Sequence, residues 1–293
     1  MLFKSFPISS SLAAKAGLTI CTGAVLALAG SAGTAVGTVT PYLEWNFSNT
    51  SGTTVADTGS AASSSYNGTL VGGATVSGGQ MATTGTAGMG MQIPYGAFGA
   101  ITGDFSFEML STVSNPASAN DGWNTFFNVG GNSSNQSGIL VHSVAGGAGA
   151  PSAAAFYTTS SDNTGNLSGP VLSSGEQVLV DVTYIASSGL FSFYVNGTLA
   201  NSTTLSSSEY TDFGNLATFA GTSNSAAYDG VGGFDYWNNL SFVGTTNYFS
   251  VYNSALTANQ VAANYTAVPE TGTLGLLGLG ALGLLMLKRR KTA

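Results

Sequence analysis

Short runs in which hydrophobic and polar residues alternate fill most of the chain, and turn-forming residues separate them. Residues 178–185 and 190–195 are two such runs, joined by a Ser/Gly turn, and Asn196-Gly197 begins a second turn. Alternation with a period of two is typical of a strand that buries one face, and Asn-Gly accepts the positive φ angles of a tight hairpin turn. These residues therefore predict an antiparallel meander.

Further runs of the same kind extend over a large part of the chain. They are residues 42–47, 105–110, 125–129, 138–143, 154–157 and 248–252. A helical period appears once, at residues 257–265, where Thr257 is a candidate N-cap. Antiparallel sheets of this total length bury their apolar faces most readily against each other, so residues 40–266 predict an all-β domain built as a two-sheet antiparallel sandwich.

The two ends of the chain differ, because each has an uninterrupted apolar segment beside basic residues. At the N-terminal end, lysines precede the apolar run 17–28 and small residues follow it. This layout predicts a secretory signal peptide over residues 1–29, with cleavage after Ala29 or, as a second choice, after Ala35. A permanent anchor is the alternative, for which the apolar run is short.

At the C-terminal end, the Gly/Leu/Ala stretch 273–287 predicts a single transmembrane helix. It would be roughly 22 Å long at about 1.5 Å per residue, against a bilayer core of about 30 Å. A basic tail follows at residues 288–291, and the positive-inside rule keeps it on the cytoplasmic side with the domain outside. The tail consists of Lys288, Arg289, Arg290 and Lys291.

The order Val268-Pro269-Glu270, apolar helix and basic cluster resembles the PEP-CTERM sorting signal of Gram-negative bacteria. The resemblance covers residues 268–293 and departs from the family at Thr271, where the family has a second proline. It implies export across the inner membrane, transient anchoring there, processing by an exosortase, and a final location in the cell envelope or extracellular matrix. A plain single-pass anchor is the alternative.

Three segments of the exported part are similar to the laminin-G-like, concanavalin A-like jelly-roll family. They are residues 43–47 with 51–57 and 67–74, residues 180–197, and residues 248–257. The resemblance implies a jelly roll, with calcium as a candidate cofactor and Asp57 as its candidate ligand. The alternative for Asp57 is an Asx turn that satisfies backbone amides.

Charge is distributed in an unusual way along the chain. All six Lys and Arg residues lie in the two terminal segments, whereas the thirteen acidic residues lie between Glu44 and Glu270. Such a domain cannot neutralise a phosphate backbone, so no nucleic acid is expected as a partner. The single cysteine, Cys21, lies in the predicted signal peptide, so the exported domain has no disulfide.

Catalytic patterns are sparse. Glycosidases need two carboxyl groups facing one cleft, and the closest sequence-local pairs are Asp104 with Glu108 and Glu209 with Asp212, neither with the spacing for one strand face. His142 is the only histidine, and no nucleophile motif accompanies it. The sequence therefore predicts that the domain is not an enzyme.

Aromatic residues in polar loops give a better candidate site. Asp235, Tyr236, Trp237 and Asn238 are consecutive in a Gly-rich loop, and Trp123 lies in a smaller loop of similar composition. Sugar rings stack on flat aromatic faces while amide and carboxyl groups bond their hydroxyls. The alternative is that both tryptophans only pack within the fold.

These observations predict an exported, lectin-like domain that binds a glycan or exopolysaccharide. Two alternatives belong to other classes. One is a structural biofilm-matrix protein without a specific ligand, and the other is a polysaccharide-active hydrolase or lyase.

Overall fold

The computed structural model describes residues 39–114, 123–131, 137–145, 150–156, 167–205, 213–221, 227–234 and 237–268. The predicted signal peptide 1–29, the transmembrane helix 273–287 and the basic tail 288–291 lie outside the described residues. So do Pro269 and Glu270 of the predicted sorting motif, as well as Asp235 and Tyr236. Within the described ranges, no helix is long and apolar enough to cross a membrane.

Strands dominate the described part of the chain. In chain order they are β1 (Leu43–Asn46), β2 (Thr50–Ser51), β3 (Thr54–Val55), β4 (Gly68–Val71), β5 (Thr75–Ser77), β6 (Gln80–Thr84), β7 (Gly90–Gln92), β8 (Phe105–Val113), β9 (Asn124–Gly130), β10 (Gly138–Val144), β11 (Ser152–Phe156), β12 (Leu167–Ser168), β13 (Glu176–Ile185), β14 (Leu190–Val195), β15 (Thr198–Thr204), β16 (Gly230–Gly232), β17 (Leu240–Ser241) and β18 (Val243–Tyr252). The helices are α1 (Leu216–Phe219), α2 (Ala258–Ala267) and the 3₁₀ helices Phe47–Asn49, Ser64–Tyr66 and Tyr95–Phe98.

The strands form two sheets. Sheet A has the order β15-β14-β13-β8-β18-β6-β5, with β1 also paired to β18. Sheet B has the order β12-β11-β10-β9-β16-β7-β4-β3-β2, with β17 also paired to β9. Strands β9 and β17 run parallel, and the other pairs of described strands are antiparallel. The predicted two-sheet antiparallel sandwich is confirmed.

Aromatic side chains join the two sheets. Phe107 of β8 and Phe249 of β18 both contact Phe127 of β9, with ring centroids 5.7 Å and 4.9 Å away. All three side chains are fully buried, and each contributes about 1.5–3 kcal/mol through burial. The apolar face that the alternating pattern predicts for these strands is therefore the face of sheet A that packs against sheet B.

Helix α2 covers the outward face of sheet A. Its N-terminus is a capping box, in which the Thr257 side chain accepts from the Gln260 backbone and the Gln260 side chain accepts from the Thr257 backbone. The predicted N-cap at Thr257 is confirmed. Val261 is fully buried and packs with outward-facing Tyr194 and Tyr252. Burial of Val261 therefore holds α2 against the sheet.

Candidate functional site

Strands β9 and β17 bring the two predicted aromatic loops to one place. Their parallel pairing sets Leu240 opposite Asn124, and Asn124 Nδ2 donates to the Ser241 carbonyl at 2.9 Å. Parallel strands begin at the same edge of a sheet, so Trp123 and Asn239, which precede the two strands, are neighbours there. We call this surface the aromatic edge. It consists of Trp123, His142, Trp237, Asn238 and Asn239.

His142 of β10 holds the two loops of the aromatic edge together. The Trp123 ring meets the imidazole edge to face, with centroids 4.9 Å apart, and Asn239 Nδ2 lies 3.5 Å from His142 Nε2. The side chain is 3% exposed, and burial lowers the pKa of His142 from 6.5 to about 3. The imidazole is therefore neutral at physiological pH, and its contacts are those of a packing residue.

Trp237 and Asn238 form the open part of the aromatic edge. Trp237 is 43% exposed, and Asn238 is exposed with a φ of +58°. Asparagine enters this left-handed region more readily than most residues, so it turns the chain sharply after the tryptophan. Gly233 packs so closely that a Cβ there would lie 2.7 Å from the Ser241 backbone nitrogen. The ends of the loop are thereby held together, with an indole facing solvent between them.

Five residues were predicted to bind a glycan and one to bind calcium. Three of the glycan candidates lie at the aromatic edge, namely Trp123, Trp237 and Asn238. Asp235 and Tyr236 lie outside the described residues. Asp57, the predicted calcium ligand, belongs to another part of the fold.

Asp57 joins β1 to the loop that follows β3. Its Oδ1 atom accepts from the backbone nitrogens of Glu44 at 2.9 Å and Gly59 at 3.0 Å, and the bond to Gly59 has the i to i+2 form of an Asx turn. Its backbone nitrogen donates to Asn67 Oδ1 at 3.1 Å. The described residues contain no group of three or more His, Cys, Asp or Glu side chains able to hold a metal ion. Calcium binding at Asp57 stays a prediction.

Sequence reasoning missed a second polar cluster, on the outward face of sheet A. Glu108 of β8 accepts hydrogen bonds from the Tyr248 hydroxyl at 3.0 Å and the Tyr252 hydroxyl at 3.3 Å, and its other oxygen accepts from Asn264 Nδ2 at 2.6 Å. These four side chains, with Leu110, Ala267 and Val268, line a cavity of about 270 Å³. Val268 of the predicted sorting motif thus lies beside the last turn of α2.

A second carboxyl group lies beside Glu108. Asp181 of β13 is its register partner in the adjacent strand, and the Asp181 side chain is fully buried. Burial, and then the charge of Glu108, raise the pKa of Asp181 well above its ordinary range. Neither Asp181 oxygen has a hydrogen-bond partner among the described residues. Asp181 therefore favours its protonated form, because an ionised carboxyl group there would be buried, unpaired and beside the charge of Glu108.

The tyrosines keep their protons in this cluster. Burial first, and the Glu108 charge second, raise the pKa of both Tyr248 and Tyr252. Both hydroxyls therefore stay hydrogen-bond donors to the carboxylate. One signal in the sequence could have found the cluster: Glu108 and Asp181 each lie between two apolar residues of a strand, where a charge needs a partner.

No family model and no curated protein matches the chain. Among solved structures, it is similar to the botulinum neurotoxin serotype D binding domain, with 14% identity and a TM-score of 0.51 over 78% of this chain and 50% of that one. It is also similar to Trypanosoma rangeli sialidase in complex with 2,3-difluorosialic acid, a covalent intermediate, with 15% identity and a TM-score of 0.54 over 84% of this chain and 36% of that one. A third similar structure is the binding domain of botulinum neurotoxin DC in complex with SialylT, with 14% identity and a TM-score of 0.50 over 79% of this chain and 52% of that one.

The chain thus spans about half of the toxin domains and about a third of the sialidase. At these identities the likeness shows the fold alone.

The prediction that the domain is not an enzyme is contradicted, because sialidases are among the proteins with a similar fold. The prediction considered only carboxyl groups that are close in sequence, whereas the fold brings Glu108 and Asp181 together from different strands. A missing sequence-local pair therefore does not exclude paired carboxyl groups in a sandwich.

Proposed function

We propose that this sandwich binds a glycan at the aromatic edge. The observation that carries the proposal is the parallel β9–β17 pairing, which sets Trp123 beside the loop of the exposed Trp237. An exposed indole can stack on the apolar face of a sugar ring, and the amide groups of Asn238 and Asn239 can bond its hydroxyls. The fold likeness to a toxin binding domain in complex with SialylT and to a sialidase in complex with sialic acid supports a carbohydrate as the partner.

A glycan array followed by isothermal titration calorimetry tests the proposal. The domain 40–266 is titrated with array hits and with the secreted polysaccharide of the source bacterium. One series contains calcium and the other EDTA, because calcium is a predicted cofactor. We expect binding to at least one glycan, whereas a domain that binds no glycan in either series would contradict the proposal and favour a matrix protein without a specific ligand.

A pair of variants locates the site. Trp237→Ala removes the exposed indole and is expected to weaken binding about tenfold or more, equivalent to about 1.4 kcal/mol. Tyr95→Ala is the matched control, because Tyr95 is 41% exposed, close to the 43% of Trp237, and begins the 3₁₀ helix Tyr95–Phe98 outside the aromatic edge. Equal affinities of the wild type and Trp237→Ala would place the ligand elsewhere.

We also propose that the sandwich is a jelly roll of the laminin-G-like, concanavalin A-like type, and that an exosortase sorts the chain to the cell envelope or matrix. The closing strand β18 followed by α2 supports the first proposal. The order of Val268, Pro269, Glu270, apolar stretch and basic tail supports the second. Mass spectrometry of the envelope-associated protein tests the sorting: we expect a species that lacks residues 1–29 and the basic tail. A mature species that still ends at Ala293 would contradict exosortase processing.

A further inference from the structure

The exported domain has no basic side chain with which to bind an anion. Residues 16–287 contain no Lys or Arg, while all thirteen Asp and Glu residues of the chain lie between Glu44 and Glu270. Proteins recognise sugar carboxylates and sulfates largely through Arg and Lys, whose charge-assisted hydrogen bonds are about twice as strong as neutral ones. Every charged side chain that the domain can present at neutral pH is therefore negative.

The aromatic edge holds the only histidine of the chain, and it does not supply the missing charge. Burial lowers the pKa of His142 to about 3, so the imidazole is neutral throughout the physiological range. Its contacts are also already made: Trp123 packs on its ring, and Asn239 Nδ2 lies 3.5 Å from Nε2. Protonating it for a ligand would require exposing a buried group.

The described side chains of the aromatic edge offer only neutral chemistry to a ligand. They present indole rings and the amides of Asn238 and Asn239. Such groups can exchange hydrogen bonds with hydroxyl and N-acetyl groups without a charge on either side. A carboxylate placed there would lose hydration without gaining an ion pair, and the field of the acidic domain would repel it.

We infer that the ligand of the aromatic edge is a neutral glycan, built from hexoses or N-acetylhexosamines that carry no carboxylate, phosphate or sulfate. The inference rests on the proposed function and names the ligand class of the same site. It separates this chain from proteins of similar fold whose bound ligand is sialic acid, since sialic acid carries a carboxylate. The shared sandwich would thus present a different recognition chemistry.

Matched pairs of oligosaccharides test the inference. Each pair has the same neutral core, with and without a terminal sialic or glucuronic acid, and each is titrated calorimetrically in EDTA so that no metal ion bridges the anion. We expect the neutral member to bind at least tenfold more tightly, and the difference to shrink as salt rises from about 0.05 to about 0.3 M because salt screens the repulsion. Equal or tighter binding of the acidic member would overturn the inference and leave glycan binding intact. Binding of neither member would overturn both proposals.

A charge variant tests whether the aromatic edge itself makes the selection. Asn238→Lys adds a cation at the exposed turn, and Ser187→Lys adds the same charge at an exposed turn of sheet A. We expect Asn238→Lys to raise the ratio of acidic-glycan affinity to neutral-glycan affinity at least threefold, and Ser187→Lys to leave this ratio near that of the wild type. An equal gain in both variants would show that net charge alone selects the ligand and would overturn the assignment to the edge.

Discussion

Glu108 and Asp181 stand opposite each other on adjacent strands at the centre of sheet A, in a domain without Lys or Arg. Two buried carboxylates so placed would repel strongly if both were ionised. The raised pKa of Asp181 favours its protonated form, which removes this repulsion without a basic counter-ion. Glu108 accepts hydrogen bonds from the two tyrosine hydroxyls and from Asn264.

The raised pKa of Asp181 predicts how stability depends on pH above 3.8. In the unfolded chain Asp181 loses its proton near its ordinary pKa of 3.8, whereas the raised pKa keeps it protonated in the folded protein. The unfolded state then binds fewer protons, so the free energy of unfolding falls as pH rises above 3.8, by up to about 1.4 kcal/mol per pH unit, until the folded pKa is reached. Asp181→Asn places an uncharged amide of similar size beside Glu108 and removes this loss. In urea unfolding at pH 5 to 9, the free energy of unfolding of the variant should rise relative to that of the wild type as pH rises, and a constant difference would contradict the raised pKa of Asp181.

His142 predicts the opposite dependence on the acid side. Its folded pKa of about 3 lies below its ordinary 6.5, so between these values the unfolded chain takes up a proton that the folded one does not. Stability therefore falls as pH drops below 6.5, by up to about 1.4 kcal/mol per unit. His142→Gln should be less sensitive to acid than the wild type in thermal unfolding between pH 4 and 7. Parallel melting curves across this range would show that His142 titrates normally.

Above pH 3.8 and below pH 6.5, rising pH lowers stability through Asp181 and raises it through His142, so the two contributions oppose each other.

The hydrogen bond from α2 to Glu108 should stabilise the domain measurably. Asn264→Ala removes the 2.6 Å donor from a buried carboxylate, and we expect a loss of about 1.5–3 kcal/mol in the free energy of unfolding. Asn259→Ala is the matched control, because Asn259 lies exposed on the same helix and should change stability by less than about 0.5 kcal/mol. Equal effects of the two variants would contradict a stabilising hydrogen bond from Asn264 to Glu108.

Gly90 should tolerate no side chain. It has a φ of +150°, and a Cβ there would lie 1.9 Å from the Val231 carbonyl oxygen across the β7–β16 pair. Gly90→Ala must separate two central strands of sheet B, so we expect a loss of at least about 3 kcal/mol or failure to fold. Gly96→Ala is the control, because a Cβ at Gly96 meets nothing within 4 Å. Chemical denaturation compares the two, and a fully stable Gly90→Ala would contradict the close approach of β7 and β16.

The two tryptophans of the aromatic edge should separate binding from stability. Trp237→Ala is expected to lower the melting temperature less than Trp123→Ala does, because Trp237 is 43% exposed. Trp123→Ala should melt lower and should also raise the pKa of His142 towards 6.5, since the ring packs against the imidazole at 4.9 Å and helps to bury it. NMR titration of the single imidazole measures this shift directly. An unchanged His142 pKa in Trp123→Ala would show that other groups bury it.

Local patterns predicted much of the fold. The predicted run 190–195 is strand β14 as observed, and Thr257 caps α2, because a period of two and a capping box depend on neighbouring residues. The predicted run 248–252 covers only the second half of β18. Its first half contains Gly244 and two threonines, which lack a clear apolar alternation.

Contacts set by strand register could not be predicted in this way. Glu108 was considered with Asp104, its neighbour in sequence, but Asp104 accepts from the Ala186 backbone at 2.7 Å and the partner of Glu108 is Asp181. Which residues of β8 and β13 face each other follows from packing of the whole sheet, and a shift by one residue would turn Asp181 into the core. The aromatic edge has the same origin, because a parallel contact between β9 and β17 joins loops that are distant in the chain.

The position of β18 sets the order in which the domain can fold. This strand lies between β8 on one side and β6 and β1 on the other, and it pairs Leu43 with Val251, about 200 residues later. When the chain is synthesised or exported from its N-terminus, β1 has no partner strand until residues 243–252 are present. Until then β6 and β8 are also not joined in sheet A. Contacts of such long sequence separation form slowly. Sheet A should therefore be completed late, after most of the domain has been made or threaded through a pore.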